Sequence, residues 1–446
     1  MRIRTIRATP TVSGFYTDDQ AAIKAGAERD GFDYRGEPRT AGFTRVRQAG
    51  EALSVELDLG SPAGPDRSLV AHGDCCAVQY SGAGGRDPPF FAGDHRSTVE
   101  GPVADNLRGR DAAAFRENAA LLEAMRPGGD RLHTAVRYGV SQALLHAAAL
   151  ARGTTMTDVL ADEFDLDPAT EPIPVFGQSG DERRRTAEKM LLKRTPVLPH
   201  GLFNSAEAVG EDGSRLREYL AWLADRADEA VADAAAAGEA YEPRFHVDVY
   251  GTLGDLFGPP YDRAEVVDYL ADLRAAAAPY PLQVEGPMDE GGRAEQIHAM
   301  CELREGLADA GVAVDVVADE WCDTLEDVRA FVDAGAADLV QVKTPDLGGV
   351  DRSVAAVLAC EGTDTRAYLG GTCNETDRSA RVCAHVALAT DAAQTLAKPG
   401  MGFDEGYMVV ENEMRRTVTR RADRRKPGSE RRPGRTPTAA DGGVDR

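Results

Sequence analysis

An α/β chain, built as a (β/α)8-type barrel behind an N-terminal α+β capping domain, is the fold class this sequence predicts. Three observations carry that expectation. From about residue 172 short apolar runs recur (PIPVFGQ, TPVLPHG, RFHVDVYG, PLQVEGP, VAVDVVADE, ADLVQVKTP, TRAYLGGTC). Amphipathic stretches separate them at 181–193, 212–239, 262–277, 291–310, 324–335 and 349–360, and strand alternating with helix argues for parallel strands joined by helical crossovers. Seven or so such units in roughly 240 residues match the length a closed eight-stranded barrel needs. No G-x-G-x-x-G follows the first of these strands, which disfavours a dinucleotide-binding sheet.

The first segment, 1–165, is patterned differently. Residues 39–60 read as strands alternating apolar and polar side chains, with a Gln-Ala-Gly-Glu turn among them. Residues 111–127 and 132–153 read as amphipathic helices, the second presenting Val136, Tyr138, Val140, Leu144 and Leu145. Strands followed by helices indicate an α+β unit. The barrel is assigned to 166–413. Beyond it, RRTVTRRADRRKPGSERRPGRTPTAADGGVDR loses apolar periodicity and is dominated by Arg, Pro and Gly. Segment 414–446 therefore reads as a disordered Arg-rich tail, solvated or lying on its own acidic body in preference to a basic arm for an anionic partner.

Composition narrows the function classes. The chain has 446 residues, 42% of them hydrophobic, and a net charge of −23. That length favours two domains, and that charge repels nucleic acid and anionic membranes. No uncharged apolar stretch is long enough to span a bilayer, and the N-terminus has no apolar signal-peptide core. The seven cysteines are scattered without a CxxC pair, which fits a reducing cytoplasm and disfavours zinc or iron–sulfur sites. Lysine occurs only at 24, 189, 193, 343, 398 and 426, so arginine supplies nearly all the positive charge. An Asp/Glu-rich, Lys-poor surface suits a salt-rich cytoplasm, where screening relieves carboxylate repulsion; a high-GC genome is the alternative reading.

In a barrel, residues at the C-terminal ends of the strands face the active site. Asp248 ends RFHVDVYG, Glu285 ends PLQVEGP and Asp319 ends VAVDVVADE, spaced 37 and 34 residues apart, close to one strand–helix unit each. A single acid at a strand end commonly caps a loop. Three on consecutive strands repel one another unless a cation sits among them, and all-oxygen ligands select a hard ion such as magnesium. The next strand places Gln341 and Lys343 on one face, two residues apart. A cation beside Lys343 disfavours its ammonium form, which suits it to proton abstraction. His200, in TPVLPHGLFN, reaches a strand end earlier in the series, as a second base or a structural histidine. Gln178, Thr372 and Cys373 are further polar strand-end side chains suited to substrate carboxylate or amino groups. With no His or Asp partner assigned to it, Cys373 reads as a binding residue rather than a nucleophile. Such a site suits proton abstraction beside a carboxylate, where a metal stabilises the developing enolate and a lysine or histidine takes the proton; enolase-type sites are a known instance of that pairing.

These residues resemble one family closely. The order His200, Asp248, Glu285, Asp319, Lys343 is similar to that of methylaspartate ammonia-lyases of the enolase superfamily. So are the motifs HVDVYGTLG, QVEGPMD, VVADEWCDT, LVQVKTPDLGG, GGTCNETD and, in the first domain, HGDCCAVQYSGAGGRDP. The resemblance covers roughly residues 1–413. It implies a homodimeric enzyme acting on 3-methylaspartate, with magnesium held by Asp248, Glu285 and Asp319 and bound to the substrate's 4-carboxylate. Lys343 takes the C3 proton of the 2S,3S substrate in that reading, and His200 lies on the other face, touching the carboxylate and serving the 3R epimer. Gln178, Gln341, Thr372 and Cys373 bind carboxylates and ammonium, Gln79 reaches the site from the cap, and Leu396 shapes the methyl pocket. Loss of ammonia gives mesaconate, and potassium acts as an activator. An enolase-type dehydratase or cycloisomerase shares the same acids, whereas GGTC and the Gln341–Lys343 spacing favour the ammonia-lyase.

Overall fold

The computed structural model describes residues 1–60, 69–79, 86–180, 182–258 and 261–425. The chain opens with β1 (Arg2–Asp18), a short hairpin of β2 (Glu28–Asp30) and β3 (Asp33–Arg35), then β4 (Arg47–Gly60) and β5 (Leu69–Cys75). β1, β4 and β5 form an antiparallel sheet in that order. Its inward side chains Val55, Leu57 and Leu59 are fully buried, the alternation a one-sided sheet requires. The expected Gln-Ala-Gly-Glu turn is not there, because β4 runs straight through it. Gly50 is instead a point of close approach. A Cβ on it would lie 2.1 Å from Ser13 Oγ and 2.8 Å from Asn374 Oδ1.

The helix Thr134–Arg152 lies across β5 and separates the sheet from the barrel, so it is buried almost all round. Two glycines allow the contact. A Cβ on Gly73 would fall 2.1 Å from the Gly139 carbonyl oxygen, and one on Gly139 would fall 2.3 Å from the Cys75 nitrogen. Gln142 fastens the pair by accepting from the Asp74 N–H and donating to its carbonyl, both at 3.1 Å.

The second part is a closed, all-parallel barrel. Its strands are β6 (Val175–Phe176), β7 (Val197–Leu202), β8 (Arg244–Asp248), β9 (Leu282–Glu285), β10 (Val314–Ala318), β11 (Leu339–Val342), β12 (Arg366–Leu369) and β13 (Gln394–Leu396). They pair in sequence order, and β13 closes the ring on β6. Helices observed at Arg183–Leu192, Ser214–Ala236, Arg263–Ala276, Arg293–Ala310, Leu325–Asp333 and Val350–Leu358 fall where the sequence placed them. Thr324 with Asp327, and Thr376 with Ser379, form capping boxes that start two barrel helices. The strand absent from the sequence reading is β13, three residues long and begun by a glutamine. Phe176, Val197, Val317, Leu339, Tyr368 and Leu396 pack together inside the ring, so the barrel interior is a core and the site sits on top of it.

The expected disordered tail begins later than its composition suggested. A helix spans Asp404–Arg425. Val410, Met414, Thr417 and Arg421 are buried on it at helical spacing, a stripe that alternating arginines conceal in the sequence. Arg421 donates to Asp158 Oδ1 and to the Ala169 carbonyl, both at 2.9 Å. The remainder of the tail, 426–446, lies outside the described residues. Among the described residues no helix is long and apolar enough to cross a membrane.

Candidate active site

A cavity of about 450 Å³ opens at the C-terminal ends of the barrel strands, beneath the cap. Gln79, Gln178, His200, Asp248, Asp319, Gln341, Lys343, Thr372, Cys373 and Leu396 all line it. Of the residues nominated from sequence only Glu285 does not; it is fully buried under the floor. The strands explain the convergence. Asp248 and Glu285 are the last residues of β8 and β9 and are direct register partners. Asp319 is one residue beyond β10, Lys343 one beyond β11, and Leu396 ends β13.

The acids sit in one another's field. Burial first, then the charges of Glu285 and Asp319, push the Asp248 carboxyl well above the usual range. Burial likewise raises Glu285, against the opposing pull of His200, Tyr368, Lys343 and Gln341. Asp319 is pushed up to about 7 by burial, which outweighs the nearby Lys343 ammonium. Three buried carboxylates that resist shared ionisation, with oxygen donors only, are the donor set of a hard divalent cation. The tightest grouping of possible ligand atoms is, however, His200, Asp248 and Glu285, all within 4.8 Å of one another. Asp319 turns aside to Lys343, whose Nζ lies 2.6 Å from its Oδ1. Burial disfavours the Lys343 ammonium, yet Asp319 and Glu320 more than compensate and hold it raised.

His200 differs from its neighbours in charge and backbone. Its φ of 61° is in the left-handed region, and the register of β7 against β8 slips between His200 and Leu202. The bulge swings the imidazole over the pocket, where Nε2 lies 3.5 Å from Asp248 Oδ2. Such a backbone costs on the order of 1–3 kcal/mol and is retained where surrounding structure fixes it. Burial lowers the His200 imidazole to about 4, so it is a neutral ring at ordinary pH.

Residues not nominated from sequence, together with Gln341, support these. Tyr368 donates to both oxygens of Glu285 at 2.7 Å, and Gln341 donates to Glu285 Oε1. His246 Nε2 is 2.7 Å from Glu285 Oε2, its ring stacked on Phe176 at 4.1 Å. His246 stands two residues before Asp248 on the same strand, so strand alternation was the available signal. Arg86 descends from the cap to Asp346 at 2.7 Å and to Asp323. Below the GGTC turn Lys398, fully buried, pairs with the fully buried Glu375 at 2.7 Å and donates to the Gly370 carbonyl. Tyr138, from the cap helix, donates to Glu375 Oε2 at 2.9 Å. Cys373 is unsuited to nucleophilic attack, since burial pushes its thiol up to about 12.

Two family models match the chain: methylaspartate ammonia-lyase N-terminus over 1–165 and methylaspartate ammonia-lyase C-terminus over 167–423. The chain belongs to the methylaspartate ammonia-lyase family. The methylaspartate ammonia-lyase of Haloarcula marismortui is 69% identical over 424 residues, covering 94% of this chain and 98% of that one. The Citrobacter amalonaticus enzyme containing (2S,3S)-3-methylaspartic acid superposes with a TM-score of 0.88 at 48% identity, covering 95% of this chain and all of that one. A magnesium complex of the Clostridium tetanomorphum enzyme has the same TM-score at 47% identity, covering 96% and 100%. Cap and barrel together form the arrangement of the enolase superfamily.

Proposed function

We propose that this methylaspartate ammonia-lyase family member removes the C3 proton and then the ammonia of (2S,3S)-3-methylaspartate, giving mesaconate. The observation that carries the reading is Lys343, a buried amine among the barrel's strand-end acids. Lys343 is the base toward the C3 proton. His200, neutral and offset by its bulge, faces the other side of that carbon, contacts the adjacent carboxylate and serves the 3R epimer. Asp248, Glu285 and Asp319 would hold magnesium, which would supply positive charge against the negative charge that develops on the substrate carboxylate. Lys343 acts as a base only when its amine is released from the Asp319 carboxylate that holds it as an ammonium.

The remaining residues bind and orient. Gln341 and Tyr368 fix Glu285 by hydrogen bonds. Gln178, whose Nε2 donates to the Ala397 carbonyl at 3.1 Å, and Thr372, Cys373 and Gln79 receive the substrate's carboxylates and ammonium. Leu396 borders the methyl group. The enzyme works as a cytoplasmic homodimer activated by potassium. The test is absorbance of mesaconate's conjugated double bond, with 3-methylaspartate and magnesium in high potassium chloride, with and without chelator. A rise that chelation removes is the expected result. Folded protein giving no rise at any salt concentration points to another carboxylate.

A further inference from the structure

Asp18, the last residue of β1, lines the same cavity but has no part in the reaction described above. It is directly opposite Arg47, the first residue of β4. Both Asp18 oxygens accept from Arg47, from Nε and from the terminal nitrogen, each at 2.7 Å. Arg47 is itself held over the rings of Phe32 and Tyr34, 4.6 and 5.0 Å from their centroids. The Asp18 carboxylate, 4% exposed, is thus fixed in position by the hairpin. Gln79 Nε2 donates to Asp18 Oδ2 at 3.3 Å.

A glutamine amide has a donor end and an acceptor end of nearly equal size, and its neighbours decide which faces where. An ion-paired carboxylate only accepts, so the end of Gln79 toward Asp18 must be the NH2. On the other side Cys373 Sγ donates to Gln79 Oε1 at 3.7 Å. Burial keeps that thiol protonated, so it agrees in polarity. Asp18 sets the orientation, and the weak thiol contact is compatible with it. Gln79 and Cys373 both line the cavity, and the carbonyl oxygen keeps a lone pair beyond its weak thiol contact, which suits a cationic donor and repels a carboxylate.

We propose that Asp18 is a positioning residue that locks the Gln79 amide with its carbonyl oxygen toward the cavity, where it accepts from the substrate's ammonium group. The proposal rests on the ammonia-lyase reading above. What it adds is the residue that fixes which end of the Gln79 amide the substrate meets.

A polarity-reversal cycle on the full chain tests it, reading kcat and KM for 3-methylaspartate with magnesium. Asp18→Asn removes the constraint, because the new amide can either donate or accept. Gln79→Glu sets two carboxylates against each other. Each single change is expected to lower kcat/KM about tenfold or more. In the double variant the asparagine donates to the glutamate, whose other oxygen still faces the ammonium, and activity returns to within about threefold of the unaltered chain. A merely structural role does not produce that rescue. Asp18→Asn within about twofold of the unaltered chain, or a double variant no better than the product of the singles, overturns the proposal.

Should Asp18→Asn not fold, Gln79→Met in the intact Asp18 background is assayed in the reverse direction. The expected result is a KM for ammonia raised about tenfold with that for mesaconate little changed; the opposite pattern overturns the proposal. Unaltered chain that fails to turn over 3-methylaspartate overturns the functional reading and this proposal together. Turnover without rescue overturns this proposal alone.

Discussion

Lys343 and Asp319 show how one contact can have two meanings. As a pair 2.6 Å apart they offset each other's buried charge; in the proposed reaction they would separate, one toward the metal and one toward a proton. Lys343→Ala should therefore lower kcat/KM by about 10²–10⁴-fold on the 2S,3S substrate. Magnesium should still raise the melting temperature of that variant, and a variant that keeps most of its activity removes Lys343 from the role of base. Asp319→Asn should weaken magnesium stabilisation and turnover together. Burial raises the Asp319 carboxyl from 3.8 to about 7 in the metal-free chain. Between those values the folded chain binds the extra proton, so this group's contribution to stability falls as pH rises. Magnesium needs the carboxylate, and so its stabilising effect should grow from about pH 5 to about pH 8. Thermal melts with and without the ion measure the difference; a pH-independent increment contradicts it. The acids, Lys343 and His200 were legible in the sequence because strand ends mark the mouth of a barrel. Tyr368 and His246 were not, since inside a short strand they look like ordinary core residues. Asp18 was hidden for another reason: nothing local in β1 says that its last side chain lines the cavity at the barrel mouth.

At the scale of elements, the strand–helix alternation was readable wherever a strand lay in an apolar run, as the two residues of β6 do within PIPVFG. β13 escaped notice because Gln-Thr-Leu, two of its three residues polar, makes no such run. Its glutamine is spent inside the ring, where the Gln394 amide lies 2.9 Å from His246 Nδ1. β4 misled in the opposite direction, since a glycine needed for close packing against Ser13 looks the same in sequence as a glycine needed to turn. The C-terminal helix Asp404–Arg425 was cut at residue 414, its second half mistaken for tail, because its buried stripe includes an arginine paired with Asp158 of the cap. Arg421→Ala should lower stability by about 2 kcal/mol, the scale of hydrogen bonds to a charged group. Asp158 keeps Arg424 as a partner at 3.5 Å, so unfolding should remain cooperative. A melting curve unchanged by the substitution would mean that this helix only rests on the barrel.

For the molecule as a whole, a net charge of −23 makes the folded state repel itself. Salt screens that repulsion over about 8–10 Å near physiological strength and over shorter distances above it. The melting temperature should therefore climb as potassium chloride rises toward molar concentration, and calorimetry across a salt series checks it. A flat response places the acidic surface with codon bias instead of with a salt-rich cytoplasm. The C-terminal helix has a different consequence. It lays the end of the barrel sequence on the end of the cap sequence, with Arg424 donating to the Gly153 carbonyl at 2.8 Å and Arg421 meeting Asp158. Beside it Thr157 meets His385 Nδ1 at 2.9 Å, and the Ala169 N–H donates to Leu388. The peptide connecting the two parts is thus duplicated by non-covalent joints on either side of it. A protease cut in that connector should leave a molecule that stays whole, and the two halves, expressed as separate chains, should form a complementing pair whose regained turnover reports their meeting.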